Sequence, residues 1–392
     1  MDAITYLTII VFMFLVGVLA TMLSNKFRIP NVIFLLLAGI ISRAIIVRFE
    51  IPEIPSIFII ITSIVALALI TFDGASRFKF KEFDTFSILG LKIFLIFLVL
   101  CLSVITPVLI ILLKFQAMFA LIFSSMMTAT AFEVLSIFIK KDNLRVSELL
   151  KTESILNTPF TVIIPFMFYD FFKNLSSTSV YIFNILEYSV PFVQQLIIGI
   201  GSGIFVGIII FKFMRKYYSE NISPIALVVG VLTTYVLAEQ LKGSGVLAVV
   251  VLGFFFGNIH VKKKPILQEF SSLISESIEI IVFLLFGYFF TLPNNMHLIL
   301  MSLLIYAISL VLRFIAVTLS LTNYSLKDRI FATLVTPKGI SFVAVAITFL
   351  AYKIFPDYFF ELLFLVFAYS ILISTFVIKR TSFHQIEERV RK

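Results

Sequence analysis

Apolar residues in this chain neither alternate nor keep to one helical face; they run. Thirteen stretches dominate the pattern, at roughly 5–23, 30–48, 56–73, 86–113, 116–139, 148–172, 190–214, 223–239, 244–257, 276–292, 297–320, 330–352 and 357–378. Most reach the length of about 20 residues that a helix needs to cross a hydrocarbon layer about 30 Å thick. The pattern predicts an all-α integral membrane protein with about thirteen transmembrane helices. The split between the eighth and ninth stretches rests on the polar break Lys242-Gly243-Ser244-Gly245, and the ninth, at about 14 residues, is short for a full crossing.

Two stretches carry interruptions. The twelfth holds Thr336-Pro337-Lys338-Gly339 near its middle. Proline removes a backbone donor and glycine loosens the helix, so a break is expected there. The fifth carries Thr128-Ala129-Thr130-Ala131-Phe132-Glu133, whose chemistry forces a break less strongly. Paired interrupted helices in corresponding places are the sequence sign of inverted repeats in a secondary transporter. The seventh stretch spaces Gly199, Gly203 and Gly207 by four residues, which lets helices approach closely in lipid. Its Gly199-Ile200-Gly201-Ser202-Gly203 run has no strand before it, so a dinucleotide loop is not expected.

Composition agrees with the pattern. The 392 residues are 60% hydrophobic and 14% charged, with a mean hydropathy of +1.12. Phe reaches 47 residues and Trp is absent. The single cysteine, Cys101, excludes a disulfide framework, and the three histidines (His260, His297, His384) lack zinc-ligand spacing, so no resident metal or cofactor is expected. No phosphate-binding loop for an ATP-driven pump is present. Met1 to Leu23 lacks the basic start of a cleavable signal peptide.

Charge gives direction. When the loops are assigned alternately, 22 lysines and arginines fall on one side and 6 on the other, with Lys92, Arg313 and Lys338 inside stretches. The net charge of +9 therefore points to lipid and a cytoplasmic face rather than to nucleic acid as partner. The positive-inside rule places the N-terminus outside and the C-terminus, with a short tail at 379–392, in the cytoplasm. A bacterial or archaeal inner membrane suits the short loops.

Ionisable residues inside apolar runs carry the candidate chemistry. Arg313 sits alone in the eleventh stretch and cannot shed its proton, so it needs a carboxylate. Asp73, Glu133 and Glu153 lie in other runs, and Glu276 and Glu279 open the tenth. Lys92 is expected to snorkel, and the last two glutamates are read as interfacial charges.

The chain resembles the monovalent cation:proton antiporters, and within them the NhaP-like Na+/H+ exchangers. The resemblance is carried in order by Arg28-Ile29-Pro30 with Leu35-Leu36-Leu37-Ala38-Gly39-Ile40, by Phe72-Asp73-Gly74, by Glu153-Ser154-Ile155-Leu156-Asn157, by Gly243-Ser244-Gly245-Val246-Leu247-Ala248 with Gly253 and Gly257-Asn258, by Leu312-Arg313 and by Pro337-Lys338-Gly339. It covers nearly the whole chain as one transporter unit. It implies a homodimer of 13-helix protomers, a mobile core at about 56–172 and 276–352, and a scaffold of the remaining helices that dimerises. It also implies crossed, unwound fifth and twelfth helices and an elevator-like exchange of protons for Na+ or another monovalent cation. No enzyme activity is implied.

Two positions depart from the family pattern. The family's ion-binding aspartate follows the Asn of the sixth helix, where this chain has Thr158 after Asn157; the Asp of a Thr-Asp-Pro element is here Ala131. Thr130 and Thr158 offer hydroxyl oxygens to a hard cation but carry no exchangeable proton. The expected ion site therefore draws on Asp73, Thr130, Glu133, Ser154, Asn157 and Thr158. Asp73 is a site carboxylate or an acid at the lipid interface. Glu133 is either the replacement carboxylate or a helix cap or partner of Lys338. Glu153 and Arg313 are expected to form a structural ion pair, and Lys338 to compensate the ends of the broken helices. The few acids argue against exchange of two protons per cation. The rival expectations are a non-transporting member that kept the fold, and an uncoupled or K+-selective path.

Overall fold

A computed structural model describes residues 3–27, 29–48, 54–79, 85–131, 144–176, 185–293, 295–353 and 355–390. The described residues form helices and connecting turns. In chain order these are α1 (Ala3–Phe27), α2 (Asn31–Arg48), α3 (Ser56–Ser76), α4 (Thr85–Leu100), α5 (Thr106–Leu113), α6 (Ala117–Met126), α7 (Leu144–Ser176) and α8 (Ile185–Lys216), then α9 (Ile222–Gln240), α10 (Gly245–Asn258), α11 (Lys264–Tyr288), α12 (Met296–Ser320), α13 (Leu326–Leu334), α14 (Ile340–Ala351) and α15 (Asp357–Val390). Eight are long and apolar enough to cross a membrane and five are shorter apolar helices, one in each of the thirteen stretches read from the sequence.

Both expected interruptions involve the ends of helices. The twelfth stretch is α13, a non-helical segment at 335–339, and α14. Gly339 caps α14 in an extended conformation. In the fifth, α6 stops at Met126 and the chain to Ala131 is turn and extended backbone. Glu133, with 132–143, lies outside the described residues.

Two elements differ from the hydropathy reading. The fourth stretch is not one regular helix: a π-helical turn at Cys101–Ile105 joins α4 to α5. Pro107, in the first turn of α5, has no N–H for the helical ladder, which accounts for the change of hydrogen-bond step just before it. The tenth stretch begins at Lys264, not near 276. Its first half is rich in Ser, Gln and Glu, which lowers its hydropathy, yet three of those side chains turn inward. Gln268 Nε2 donates to Ser76 O (3.2 Å), Ser272 Oγ to Asp73 Oδ1 (2.9 Å) and Ser275 Oγ to Leu69 O (3.3 Å).

α3 is the hub, packed against α7, α9, α10, α11 and α14. Around it α2 crosses α11, α8 lies on α10, and α4 lies between α7 and α12. The closest crossings are made by glycine. A Cβ on Gly39 would fall 2.3 Å from Leu284 O, and one on Gly287 would fall 2.3 Å from Leu36 O, so α2 and α11 meet backbone to backbone. The spaced glycines of α8 do the same: Gly199, Gly203 and Gly207 face Ser244, Ala248 and Phe255 of the α10 segment. Phenylalanines fill the space between helices, as where Phe123, Phe119 and Phe115 of the fifth stretch meet Phe359.

Candidate functional site

The two interrupted segments touch. Ala131 N donates to Pro337 O at 2.8 Å, and a Cβ on Gly339 would fall 2.2 Å from Ala131 Cβ. The backbone groups freed by one break are thus partly satisfied by the other, as a non-helical segment at membrane depth requires. Lys338 is buried at 4% exposure. Its backbone N–H donates to Ser370 Oγ (3.0 Å), and its Nζ donates to Met127 O, at the C-terminal end of α6. A cation at the end where helix carbonyls are unsatisfied opposes the negative pole of the helix.

Next to it lies a buried charge pair. Arg313 on α12 and Glu153 on α7 are 2% and 1% exposed in their side chains. They join through two parallel bonds, Nη1 to Oε1 at 2.6 Å and Nη2 to Oε2 at 2.5 Å. This fork-to-fork geometry fits Arg better than Lys. Both cations lie near the ring of Phe97 of α4, the Arg313 guanidinium 5.3 Å and Lys338 Nζ 5.8 Å from its centre. Both can draw on its π-face in the absence of water. Gly90 lets α4 close on Glu153, whose Cα would lie 3.1 Å from an added Cβ.

The opposite face of α7 looks elsewhere. A cavity of about 80 Å³ is lined by Asp73, Gly74 and Arg77 of the third helix and its cap, Ser154 and Thr158 of α7, Ala131, and Ile340 and Ser341 of α14. Gly74 is required by closeness: a Cβ there would meet Thr158 Cγ2 at 2.7 Å. Ser154 and Thr158 donate to Lys151 O (3.0 Å) and Ser154 O (2.7 Å), which leaves their oxygen lone pairs available to the cavity. Asn157 Nδ2 donates to Thr130 Oγ1, and Asn157 Oδ1 is buried without a hydrogen-bond partner among the described residues.

The structure thus brings Asp73, Ser154 and Thr158 into one cavity and links Asn157 to Thr130 beside it. It sets Glu153 and Arg313 on another face of α7, with Lys338 near the same Phe97 ring as Arg313. Two participants carry no signal in the sequence. Arg77 was counted as a loop charge, yet its Nη2 sits 2.8 Å from Asp73 Oδ2. Ser272, which reaches the other oxygen of Asp73, lies ahead of the tenth stretch as read from hydropathy, 276–292. A second polar cavity, of about 360 Å³, gathers Asp170, Lys173, Tyr235, Glu239, Ser244 and Tyr352 where α7, α9 and the end of α14 meet. Asp170 and Glu239 lie at the ends of the sixth and eighth stretches, where nothing in the sequence pattern singles them out. A larger hollow, of about 430 Å³, is lined mainly by phenylalanines and contains no acid.

Comparison with known proteins gives concordant matches. A family model described as sodium/hydrogen exchanger, transmembrane, matches residues 10–384. Over 155 residues the chain is 29% identical to the low-affinity Na+/H+ antiporter NhaS1 of Synechocystis sp., covering 37% of this chain and 29% of that protein. Over 111 residues it is 30% identical to the Na+/H+ antiporter ApNhaP of Aphanothece halophytica, covering 27% and 21%. The matched stretches therefore span less than a third of either relative's length. Its fold matches that of the sodium proton antiporter MjNhaP1 from Methanocaldococcus jannaschii at pH 8, with a TM-score of 0.75 at 19% identity, covering 96% of this chain and 99% of that one. A structure of the same antiporter from an electron-microscopy map matches with a TM-score of 0.70.

Proposed function

We propose that this multi-pass membrane protein, which belongs to the sodium/hydrogen exchanger family, exchanges protons for a monovalent cation, Na+ first, at the carboxylate of Asp73. The observation that carries the reading is the cavity that Asp73 shares with Ser154 and Thr158. A deprotonated Asp73 offers a hard, negative oxygen to a cation; a protonated one is neutral and releases it. The two ions therefore exclude each other at one group. The hydroxyls of Ser154, Thr158 and Ser341 add neutral oxygens, and Asn157, whose Oδ1 has no hydrogen-bond partner among the described residues, precedes Thr158 on the same helix. The cavity has room for a cation with one or two waters, a water's share being about 30 Å³. The position of Thr158 supports a site in which the proton carrier stands on α3 and α7 supplies uncharged ligands.

The fixed charges have a separate role in this reading. Glu153 and Arg313 neutralise each other and tie α7 to α12, and Lys338 offsets the end of α6, so neither is needed as an ion carrier. The helices of the core, about 56–172 and 276–352, would move against the remaining ones, which hold a homodimer together. The basic bias of the loops supports an N-terminus outside and a C-terminus in the cytoplasm of a prokaryotic inner membrane.

The test is proton flux in proteoliposomes on addition of Na+, Li+ or K+. Flux in the parent and its loss in Asp73→Asn, with Glu133→Gln still active, is the expected outcome. Full exchange in Asp73→Asn and none in Glu133→Gln would move the site to Glu133. A silent parent that becomes active as Thr158→Asp would identify a chain that kept the fold and lost exchange.

A further inference from the structure

The proposed exchange carboxylate is not vacant. Asp73 Oδ2 lies 2.8 Å from Arg77 Nη2, one turn further along the same chain segment, and Oδ1 accepts from Ser272 Oγ at 2.9 Å. Arg77 Nη2 also reaches Ser272 Oγ at 3.3 Å, so the hydroxyl of α11 steadies both members of the pair. Arg77 lines the same cavity as Ser154 and Thr158. Its side chain is 35% exposed against 12% for Asp73, so Arg77 is the more accessible member of the pair.

We infer that Arg77 is a tethered competitor for the transported cation: its guanidinium occupies Asp73 at rest, and the cation binds only when Arg77 swings aside. The inference rests on the reading of Asp73 as the exchange carboxylate.

The chemistry separates this arrangement from an ordinary helix-surface pair. A guanidinium stays charged at every physiological pH, so Arg77 leaves the carboxylate by moving and never by losing its proton. Being fixed to the same chain, it is present at an effective concentration in the millimolar range or above. A cation then competes against a partner that does not dilute, and its apparent dissociation constant rises by the inverse of the fraction of sites that Arg77 leaves open. The 35% exposure of its side chain gives Arg77 water to move into, which the buried Arg313 lacks. The other charges near this stretch of α3 do not replace it. On α11, Glu269 and Glu276 flank Ser272 and are exposed; on α7, Lys151 is exposed and Glu153 is held by Arg313. Neither α10 nor α14 contains a titratable residue. The arrangement makes cation affinity adjustable by one side chain that never touches the ion, and it lowers affinity in exchange for faster release.

The experiment is steady-state exchange in proteoliposomes with parent, Arg77→Ala, Arg77→Gln and Arg77→Lys, with Asp73→Asn in parallel. Both neutral variants are expected to lower the Michaelis constant for Na+ about five- to tenfold, with turnover equal or lower, while Arg77→Lys stays near the parent. Free guanidinium at millimolar concentration should raise the Michaelis constant of Arg77→Ala back towards the parental value, competitively with Na+, and leave the parent nearly unaffected. If the alanine variant does not assemble, the glutamine variant carries the same test, and equal Michaelis constants in parent, glutamine and lysine forms overturn the inference. So does a neutral variant whose Michaelis constant is unchanged or raised and which guanidinium does not inhibit more than the parent. Asp73→Asn separates the two readings: exchange that survives it defeats the choice of Asp73 itself, whereas loss of exchange there with no effect at Arg77 defeats only the competitor.

Discussion

Arg313 and Glu153 hold two full charges where almost no surface remains. Taking ions out of water is costly, and only the paired geometry offsets it. Removing one partner should therefore cost far more than removing both. Arg313→Ala is expected to destabilise the protein by about 3–5 kcal/mol, while Glu153→Leu combined with Arg313→Met restores much of that loss. Thermal unfolding of the purified protein in detergent checks this. An Arg313→Ala protein that melts with the parent would show that the pair does not support the fold. Arg313 Nε has no hydrogen-bond partner among the described residues, so its two bonds to Glu153 carry the pairing. Legibility differed among these residues for a physical reason. A lone arginine in an apolar run demands a carboxylate, so its pairing could be inferred from sequence. The partner of Asp73 could not, because Arg77 lies where a helix meets its loop and reads as one more basic charge on that side.

At the scale of elements, helix crossings depend on what is missing from the side chains. Gly39 on α2 and Gly287 on α11 each face the other helix's backbone, which cannot yield as a flexible side chain would. Gly39→Val or Gly287→Val is expected to lower stability by about 1–3 kcal/mol or more through overpacking. Gly201→Ala, with nothing within 4 Å of the new methyl, should be neutral or raise stability by up to about 1 kcal/mol. Melting curves of the three variants decide it, and a neutral Gly287→Val would mean that α2 and α11 are not in contact there. The thirteen stretches were visible because each is a run of apolar residues, and the break at Pro337-Lys338-Gly339 because its residues cannot continue a helix. The true start of α11 was not visible. Hydropathy counts Gln268, Ser272 and Ser275 as polar and cannot tell that they face α3 instead of water. The π-helical turn before Pro107 was missed for a similar reason: proline marks a disturbance but not its form.

For the molecule as a whole, the distribution of lysine and arginine sets direction across the bilayer, and the single buried cysteine makes this easy to examine. Cys101 has no exposed surface and is a quiet background for labelling. In intact cells, an impermeant maleimide is expected to label Lys242→Cys and to spare Lys216→Cys, both positions being exposed in the fold. Labelling of Lys216→Cys alone would invert the orientation. The family and fold lie within reach of sequence because motifs along most of its length agree; the geometry around Asp73 does not, because it depends on side chains from α3, α7, α11 and α14 whose meeting no local pattern encodes.

The bond between Glu153 and Arg313 also spans 160 residues of chain, which matters before the protein is finished. A ribosome adding about 5–20 residues per second delivers α12 roughly 10–30 s after α7. During that interval the glutamate has no guanidinium to meet, and a bare acid is costly in hydrocarbon. The nascent α7 must therefore stay at the insertion machinery or against helices already made until α12 arrives. Membrane assembly of this chain is thus a matter of waiting as much as of hydrophobicity, with the order of synthesis deciding how long a half-built charge pair stays exposed.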